Sequence, residues 1–301
     1  MALQAVLTAL RQLILDETSL PNSIEERVKL FKSRFVGLSE DEIQDLAKMP
    51  PQRLGVYTHS VFTAEGNILQ GAFPLTVAAL RSWWPSAWGP FSTFALARRV
   101  HSRAPWRGIH SMSLGRSLLT FIDAECSEAA ARFPWLEDGA RYEQATLEIR
   151  KAPNESIAPQ PMSVLQEISH LTVEALLGTP VYVPSLLHSL SLKYDVIPLR
   201  RQVADGGLLS ECLRREQVVV GARPNDYGVA WIEVPEPVSE TLCRCRGGSA
   251  AIGVLAEAYL SQSAADTEQE AFSAFCSMLR DLVSSGSLSL VSESTPCQKS
   301  A

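Results

Sequence analysis

The residues best suited to metal chemistry are a few histidines in the first half of the chain. His59 precedes Glu65, and His101 precedes His110. Imidazole nitrogens and carboxylate oxygens are iron ligands, but neither spacing matches the two-histidine, one-carboxylate arrangement of non-haem iron sites. Surface or core-edge histidines are the favoured alternative interpretation. We therefore predict no metal site in this chain.

Two cysteines, Cys243 and Cys245, flank Arg244 and precede Arg246. A zinc site would need two further ligands, and a redox role would need a resolving partner. The chain has six cysteines, and their spacing is not that of a disulfide scaffold. Reduced cysteines at a helix end are the favoured interpretation, and they indicate a reducing cytoplasm.

The common catalytic patterns are absent from the sequence. It contains no Gly-x-Ser-x-Gly elbow, no glycine-rich phosphate loop, no His-Glu-x-x-His and no Cys-x-x-Cys. Nothing in the chain favours a stand-alone enzyme. We expect a non-catalytic protein without a cofactor of its own.

A basic and aromatic segment runs from Arg81 to Arg116, with six arginines, two histidines, four tryptophans and no acidic residue. Tryptophan and arginine are favoured anchors of protein interfaces, and they also contact nucleic acid. Tryptophans packed in the core beside solvated arginines are a third interpretation. Because the net charge of −6 opposes phosphate binding, we favour a protein partner. The arginines to test first are Arg98, Arg99, Arg103 and Arg107.

The segment that must position a binding site is Glu216–Val234, where two β-rich runs flank a turn of Pro, Asn, Asp, Tyr and Gly. It predicts an antiparallel hairpin. Helical patterns follow near 236–246, 249–262 and 268–285, and a strand-like tail spans Ser287–Val291. Strands followed by three helices and a wing predict a winged-helix-like module.

Such a module can bind an extended peptide along a free sheet edge, or DNA against a helix. If Val229–Val234 is an edge strand, its free N–H and C=O groups can pair with an incoming strand. Proline at Ala230 or Ile232 is the expected test. An apolar stripe on the last helix lines a groove beside the edge or packs in the core. The predicted peptide-binding residues are Val229, Ala230, Trp231, Ile232, Glu233, Val234, Phe272, Phe275 and Leu279.

The 301 residues, 46% of them hydrophobic, suffice for two domains. Apolar periodicity with frequent prolines predicts an irregular all-helical domain over 1–151. Residues 152–180 read as a linker and a connecting helix, the helix near 162–177. Residues 181–301 read as the mixed domain, with further strands at Val181–Val183 and Leu190–Leu199. No apolar run is long enough for a membrane span.

Several short motifs recur in the order seen in a bacterial family long labelled as DNA-binding proteins. They begin with Arg53-Leu54-Gly55-Val56-Tyr57, Gly71-Ala72-Phe73-Pro74 and the run from Trp135 to Ala145. The second half adds Leu187-His188-Ser189-Leu190, Tyr194-Asp195-Val196-Ile197 and the Arg223-Pro224 hairpin. Gly139 stands where that family usually has leucine. The resemblance covers nearly the whole chain.

That family is similar to MbnC and TglI, the non-catalytic partners of multinuclear iron oxidases with a TIM-barrel fold. The full helical half resembles TglI, of 3-thiaglutamate biosynthesis, more than the shorter MbnC. The resemblance implies a C-terminal domain like a ribosomal-peptide recognition element, iron in the partner subunit of a heterodimer, and a small carrier peptide as ligand. In the TglI-like case, the complex removes the β-carbon of a C-terminal cysteine. The predicted partner interface comprises Arg53, Tyr57, Arg98, Arg99, Arg103, Trp106 and Arg107; a winged-helix DNA-binding regulator is the alternative.

Overall fold

The computed structural model describes residues 5–6, 9–10, 13, 20–84, 111–152, 172–225, 228–265 and 267–290. The described chain is a mixed α+β protein, as the sequence predicts. It divides into two compact units, Met1–Phe133 and Pro134–Ala301. The sequence pattern places residues 136–151 in the helical half, whereas compactness groups them with the second unit.

The described part of the first unit contains only helices. They are α1 (Ile24–Arg34), α2 (Glu40–Lys48), α3 (Pro51–Ala72), α4 (Pro74–Trp83), α5 (Ser111–Glu125) and α6 (Ser127–Arg132). Proline stands at the first position of both α3 and α4, where its fixed φ suits a helix start and no hydrogen bond is lost. Ser39 and Glu42 form a reciprocal capping box at the start of α2.

A buried arginine joins α1 to the end of α2. The Arg27 guanidinium donates to four main-chain oxygens, those of Pro21, Asn22, Ala47 and Met49, at 2.8–2.9 Å. These bonds satisfy carbonyls that the helix end leaves without partners. Around them, Phe31 and other apolar residues of α1 and α2 form a core.

The second unit begins with α7 (Leu136–Lys151) and α8 (Val173–Gly178). The elements that follow are β1 (Pro180–Val183), β2 (His188–Tyr194), α9 (Val196–Ala204), β3 (Arg214–Asn225), β4 (Gly228–Glu233), α10 (Glu236–Arg244), β5 (Gly248–Ala251), α11 (Ile252–Leu260), α12 (Glu268–Ser284) and β6 (Ser289–Leu290). Two antiparallel sheets result, with strand orders β5–β1–β6 and β2–β3–β4.

The sheet β2–β3–β4 lies between α7 on one side and the C-terminal helices on the other. Val219, Gly221 and Trp231 occupy one face, and α7 contacts all three strands. Val220, Ala222 and Ile232 occupy the opposite face, within a core that also includes residues of α10, α11 and α12. Successive side chains of a strand point to opposite faces, so this alternation follows from the sequence of β3 and β4.

The predicted hairpin and the three predicted C-terminal helices are confirmed, with bounds that differ by up to three residues. The predicted strand Leu190–Leu199 is wrong in its second half, since β2 ends at Tyr194 and α9 begins at Val196. Pro198 falls in the first turn of α9, where its missing N–H breaks no helical hydrogen bond. The strand β5 was not predicted, because residues 249–251 were assigned to a helix.

Candidate peptide-binding edge

The strand β4 ends the three-stranded sheet, and β3 is its hydrogen-bonded neighbour among the described strands. The Val234 N–H donates to the Val218 oxygen at 2.9 Å, so these two residues form a hydrogen-bonded pair. Pairs of an antiparallel ladder alternate, and the register sets Glu233 opposite Val219 and Trp231 opposite Gly221. The N–H and C=O groups of Glu233 and Trp231 therefore point away from β3.

The same register decides which proline substitution tests the edge of β4. Ala230 and Ile232 stand opposite Ala222 and Val220, in the positions that bond to β3. Proline at either residue would remove a ladder hydrogen bond and destabilise the fold itself. Strand addition is instead tested at Glu233, whose N–H points away from β3, its one neighbour among the described strands.

A groove of about 910 Å³ opens where β4 ends. Val218, Val234 and Pro235 of the hairpin and its exit line one part of it, and Tyr259 of α11 and Met278 of α12 line another. The groove combines a strand end with apolar side chains, which suits an extended chain with an apolar side chain.

Charged side chains of both signs also line the groove, namely Arg141, Lys193, Glu216, Glu233 and Glu236. Arg215 of β3 reaches across to Glu233, with Nη2 at 2.8 and 2.7 Å from the two carboxylate oxygens. Both side chains are about half exposed, so this pair contributes little to stability. It does hold the Glu233 side chain toward β3.

Trp231, predicted to bind peptide, has its side chain engaged within the fold. Its ring lies 5.1 Å from that of Tyr142, and its Nε1 donates to Thr146 Oγ1 at 3.2 Å. The indole also covers Gly221, where a Cβ would lie 2.7 Å from the ring. Burial raises the pKa of Tyr142. In this structure, the main chain of Trp231 is the part that faces outward.

The apolar residues predicted on the last helix divide into two groups. Phe275 and Leu279 are buried in the core of the second unit. Phe272 is half-buried and lines a second groove, of about 770 Å³, beside the loop between α11 and α12. Among the predicted stripe, Met278 is the residue that borders the groove at the end of β4.

The predicted partner interface falls mainly outside the described residues. Arg53 is exposed on α3. Tyr57 lies on the same helix, but its side chain is outside the described set. Also outside it are Arg98, Arg99, Arg103, Trp106 and Arg107. The interface stays a prediction.

The histidines considered as iron ligands cannot be placed, because the side chains of His59 and Glu65, together with His101 and His110, lie outside the described residues. Cys243 and Cys245 are half-buried at the end of α10, and Arg246 Nη2 lies 3.0 Å from Cys243 Sγ. No group of three metal-ligating side chains occurs among the described residues.

Several residues that shape the site were not predicted. Asp138, near the start of α7, accepts hydrogen bonds from the N–H groups of Lys193 and Tyr194, at 2.6 and 3.0 Å. It therefore binds the outer edge of β2 at the bulge near Lys193. Arg141 and Tyr259 border the groove. The motif from Trp135 to Ala145 lies largely on α7, but its sequence does not indicate that this helix packs on the sheet.

The described helices include none that is both long and apolar enough to cross a membrane. Comparisons with protein-family models and with curated proteins find no match to this chain.

Proposed function

We propose that this chain is a non-catalytic partner subunit that binds a carrier peptide along β4 and forms a complex with a separate iron-dependent oxidase. The observation that carries the peptide proposal is the terminal position of β4, whose Trp231 and Glu233 main-chain groups point away from β3. An extended peptide can add to such an edge through main-chain hydrogen bonds.

The groove at the end of β4 supplies side-chain contacts, which main-chain pairing alone does not provide. Hydrogen bonds each contribute a net of about 1 kcal/mol, and ordering a flexible peptide offsets much of that gain. Tyr259 and Met278 would add apolar contact for one or two peptide side chains. An edge next to a pocket therefore supports specific binding better than an edge alone.

The arrangement β2–β3–β4 followed by α10, α11 and α12 also supports a winged-helix-like interpretation of the second unit. Under this interpretation, the peptide lies between the last strand of the sheet and α12. The resemblance to partners of multinuclear iron oxidases supports the other part of the proposal, the complex with an iron-dependent oxidase. It also implies that this complex modifies a peptide cysteine in the cytoplasm.

A winged-helix DNA-binding regulator is less well supported, because the C-terminal helices carry few basic residues. The α11 sequence contains no lysine or arginine, and α12 has one arginine against three acidic residues. Phosphate binding draws its affinity from lysine and arginine, so neither helix suits DNA.

The proposal is tested by co-expressing the chain with the proposed iron-dependent oxidase and carrier peptide and purifying the complex through a tag on this chain alone. We expect a stable complex that contains iron and retains the carrier peptide. Replacing Arg98, Arg99 and Arg103 together by glutamate should weaken the complex while the melting curve stays unchanged. Separation of the two wild-type proteins on a sizing column at micromolar concentration would contradict the proposal.

A further inference from the structure

The carboxylates that line the groove at the end of β4 each have a positive neighbour of their own. Arg215 Nη2 lies 2.7 Å from the Glu233 carboxylate, and Arg214 Nη2 lies 4.0 Å from that of Glu216. Glu236 lies in the first turn of α10, where the helix dipole is positive. The negative charge of the groove is therefore largely compensated within the fold.

The two cations that line the groove, Arg141 and Lys193, differ in this respect. Both side chains are exposed, and no carboxylate among the described residues lies within ion-pair distance of either. Asp138, one turn before Arg141, instead accepts the N–H groups of Lys193 and Tyr194 at 2.6 and 3.0 Å. Glu137, also one turn before Arg141, does not line the groove. The charge that the groove can offer to a ligand is therefore positive.

Arg141 and Lys193 border the same part of the groove, because Asp138 joins the elements that carry them. Its two hydrogen bonds hold the main chain of Lys193 against α7. Residues three positions apart on a helix are neighbours on its surface, so Arg141 lies beside Asp138. Tyr259 and Met278 add apolar side chains to the same groove. The groove thus combines a pair of neighbouring cations with apolar contact.

We infer that the groove binds an acidic side chain of the carrier peptide, an aspartate or a glutamate, between Arg141 and Lys193. This inference rests on the proposed function and adds the chemistry of the ligand. A carboxylate accepts charge-assisted hydrogen bonds from a guanidinium and an ammonium group together. The volume of about 910 Å³ suits several peptide residues, so the carboxylate belongs to a side chain within the peptide rather than to its C-terminus. An apolar peptide residue near the acidic one contacts Tyr259 or Met278.

The test uses the purified full chain to select from a synthetic library of short peptides that are randomised at every position, acetylated and amidated. We expect the selected peptides to be enriched in aspartate or glutamate close to an apolar residue. The double variant Arg141→Glu with Lys193→Glu should select lysine or arginine instead, because the charge of the groove is reversed. Arg150→Glu with Lys151→Glu is the matched control. It makes the same change in net charge at two exposed residues of α7 outside the groove, and it should select the same acidic peptides as the wild type.

A double-mutant cycle on one selected peptide measures the contact itself, by fluorescence anisotropy. The wild type should bind the acidic peptide about tenfold more tightly than its glutamine or asparagine counterpart, and Arg141→Gln with Lys193→Gln should bind both peptides equally. Circular dichroism checks that each variant folds.

Two results would overturn the inference and leave peptide binding intact. One is a wild-type selection without acidic enrichment, and the other is an unchanged selection by Arg141→Glu with Lys193→Glu. A wild-type selection that recovers no peptide at all would overturn both this inference and the peptide part of the proposed function.

Discussion

Replacing Gly221 by alanine should loosen the contact between the sheet and α7. A Cβ at this position would lie 2.7 Å from Cε3 and Cζ3 of Trp231 and 2.8 Å from Cδ2. These distances are well below van der Waals contact, so the indole must move. Its movement strains the 3.2 Å hydrogen bond to Thr146 and the ring contact with Tyr142.

The magnitude of the effect follows from two opposing contributions. Overpacking a core costs about 1–3 kcal/mol, whereas replacing glycine by alanine recovers about 0.4–1 kcal/mol from the unfolded chain. We expect a net loss of about 1–2 kcal/mol in the free energy of unfolding. For a unit of this size, that loss lowers the melting temperature by roughly 2–8 °C.

The assay is urea unfolding followed by circular dichroism. Gly71→Ala on α3 is the matched control, because a Cβ there meets no atom within 4 Å and alanine favours a helix. Adding Trp231→Leu to Gly221→Ala should cost less than the sum of the two single changes, since the smaller side chain removes the clash. Wild-type stability of Gly221→Ala would refute the packing described for Trp231.

Three further predictions concern the second unit. Asp138→Ala should lower the free energy of unfolding by about 2–3 kcal/mol in urea unfolding, because two N–H groups of β2 lose a charged acceptor; an unchanged midpoint would contradict that role. Burial lowers the pKa of His188 below its usual value of 6.5, because the fold favours the neutral imidazole. The free energy of unfolding therefore keeps this contribution above pH 6.5 and loses it as the pH falls through the folded-state pKa. His188→Gln should reduce this acid sensitivity, measured as the urea midpoint at neutral and mildly acidic pH. Burial raises the pKa of Cys212 from 9.0 to about 11, so its alkylation in the folded protein should be about a hundredfold slower than in urea, as followed by mass spectrometry.

The hairpin and the C-terminal helices could be predicted because their signals are local. The turn before Gly228 and the β-branched residues around it specify β3 and β4 without reference to the rest of the chain. The periodic apolar positions from Phe275 to Leu282 likewise specify α12. Their bounds were less certain, because residues 249–251 pair with β1, which is distant in sequence.

The position of α7 could not be predicted from its pattern. Most residues of α7 are buried, including Asp138, Glu143 and Gln144, so its sequence lacks a clean apolar stripe. Glu143 is fully buried and lies 3.5 Å from Arg200 of α9. That pairing, like the contact of Tyr142 with Trp231, joins residues far apart in the chain. Local patterns do not identify such partners.

The groove in the structure lies at the ends of β2, β3 and β4, and only some of its lining residues were singled out from the sequence. Glu233, Val234 and Met278 belong to segments that the sequence singled out. Tyr259 and Arg141 lie on helices whose faces depend on tertiary packing. Phe275, in contrast, was predicted to bind peptide but lies in the core. An apolar stripe at helical spacing fits core packing as well as it fits a groove.

The most direct test of the account is the affinity for the proposed carrier peptide, measured by fluorescence anisotropy for two variants at one position. Glu233→Pro removes an outward N–H, and Glu233→Ala removes the same side chain but keeps that N–H. Circular dichroism confirms that both variants fold. We predict that the proline variant binds at least tenfold more weakly than the alanine variant. Equal affinity in two folded variants would contradict peptide addition to β4.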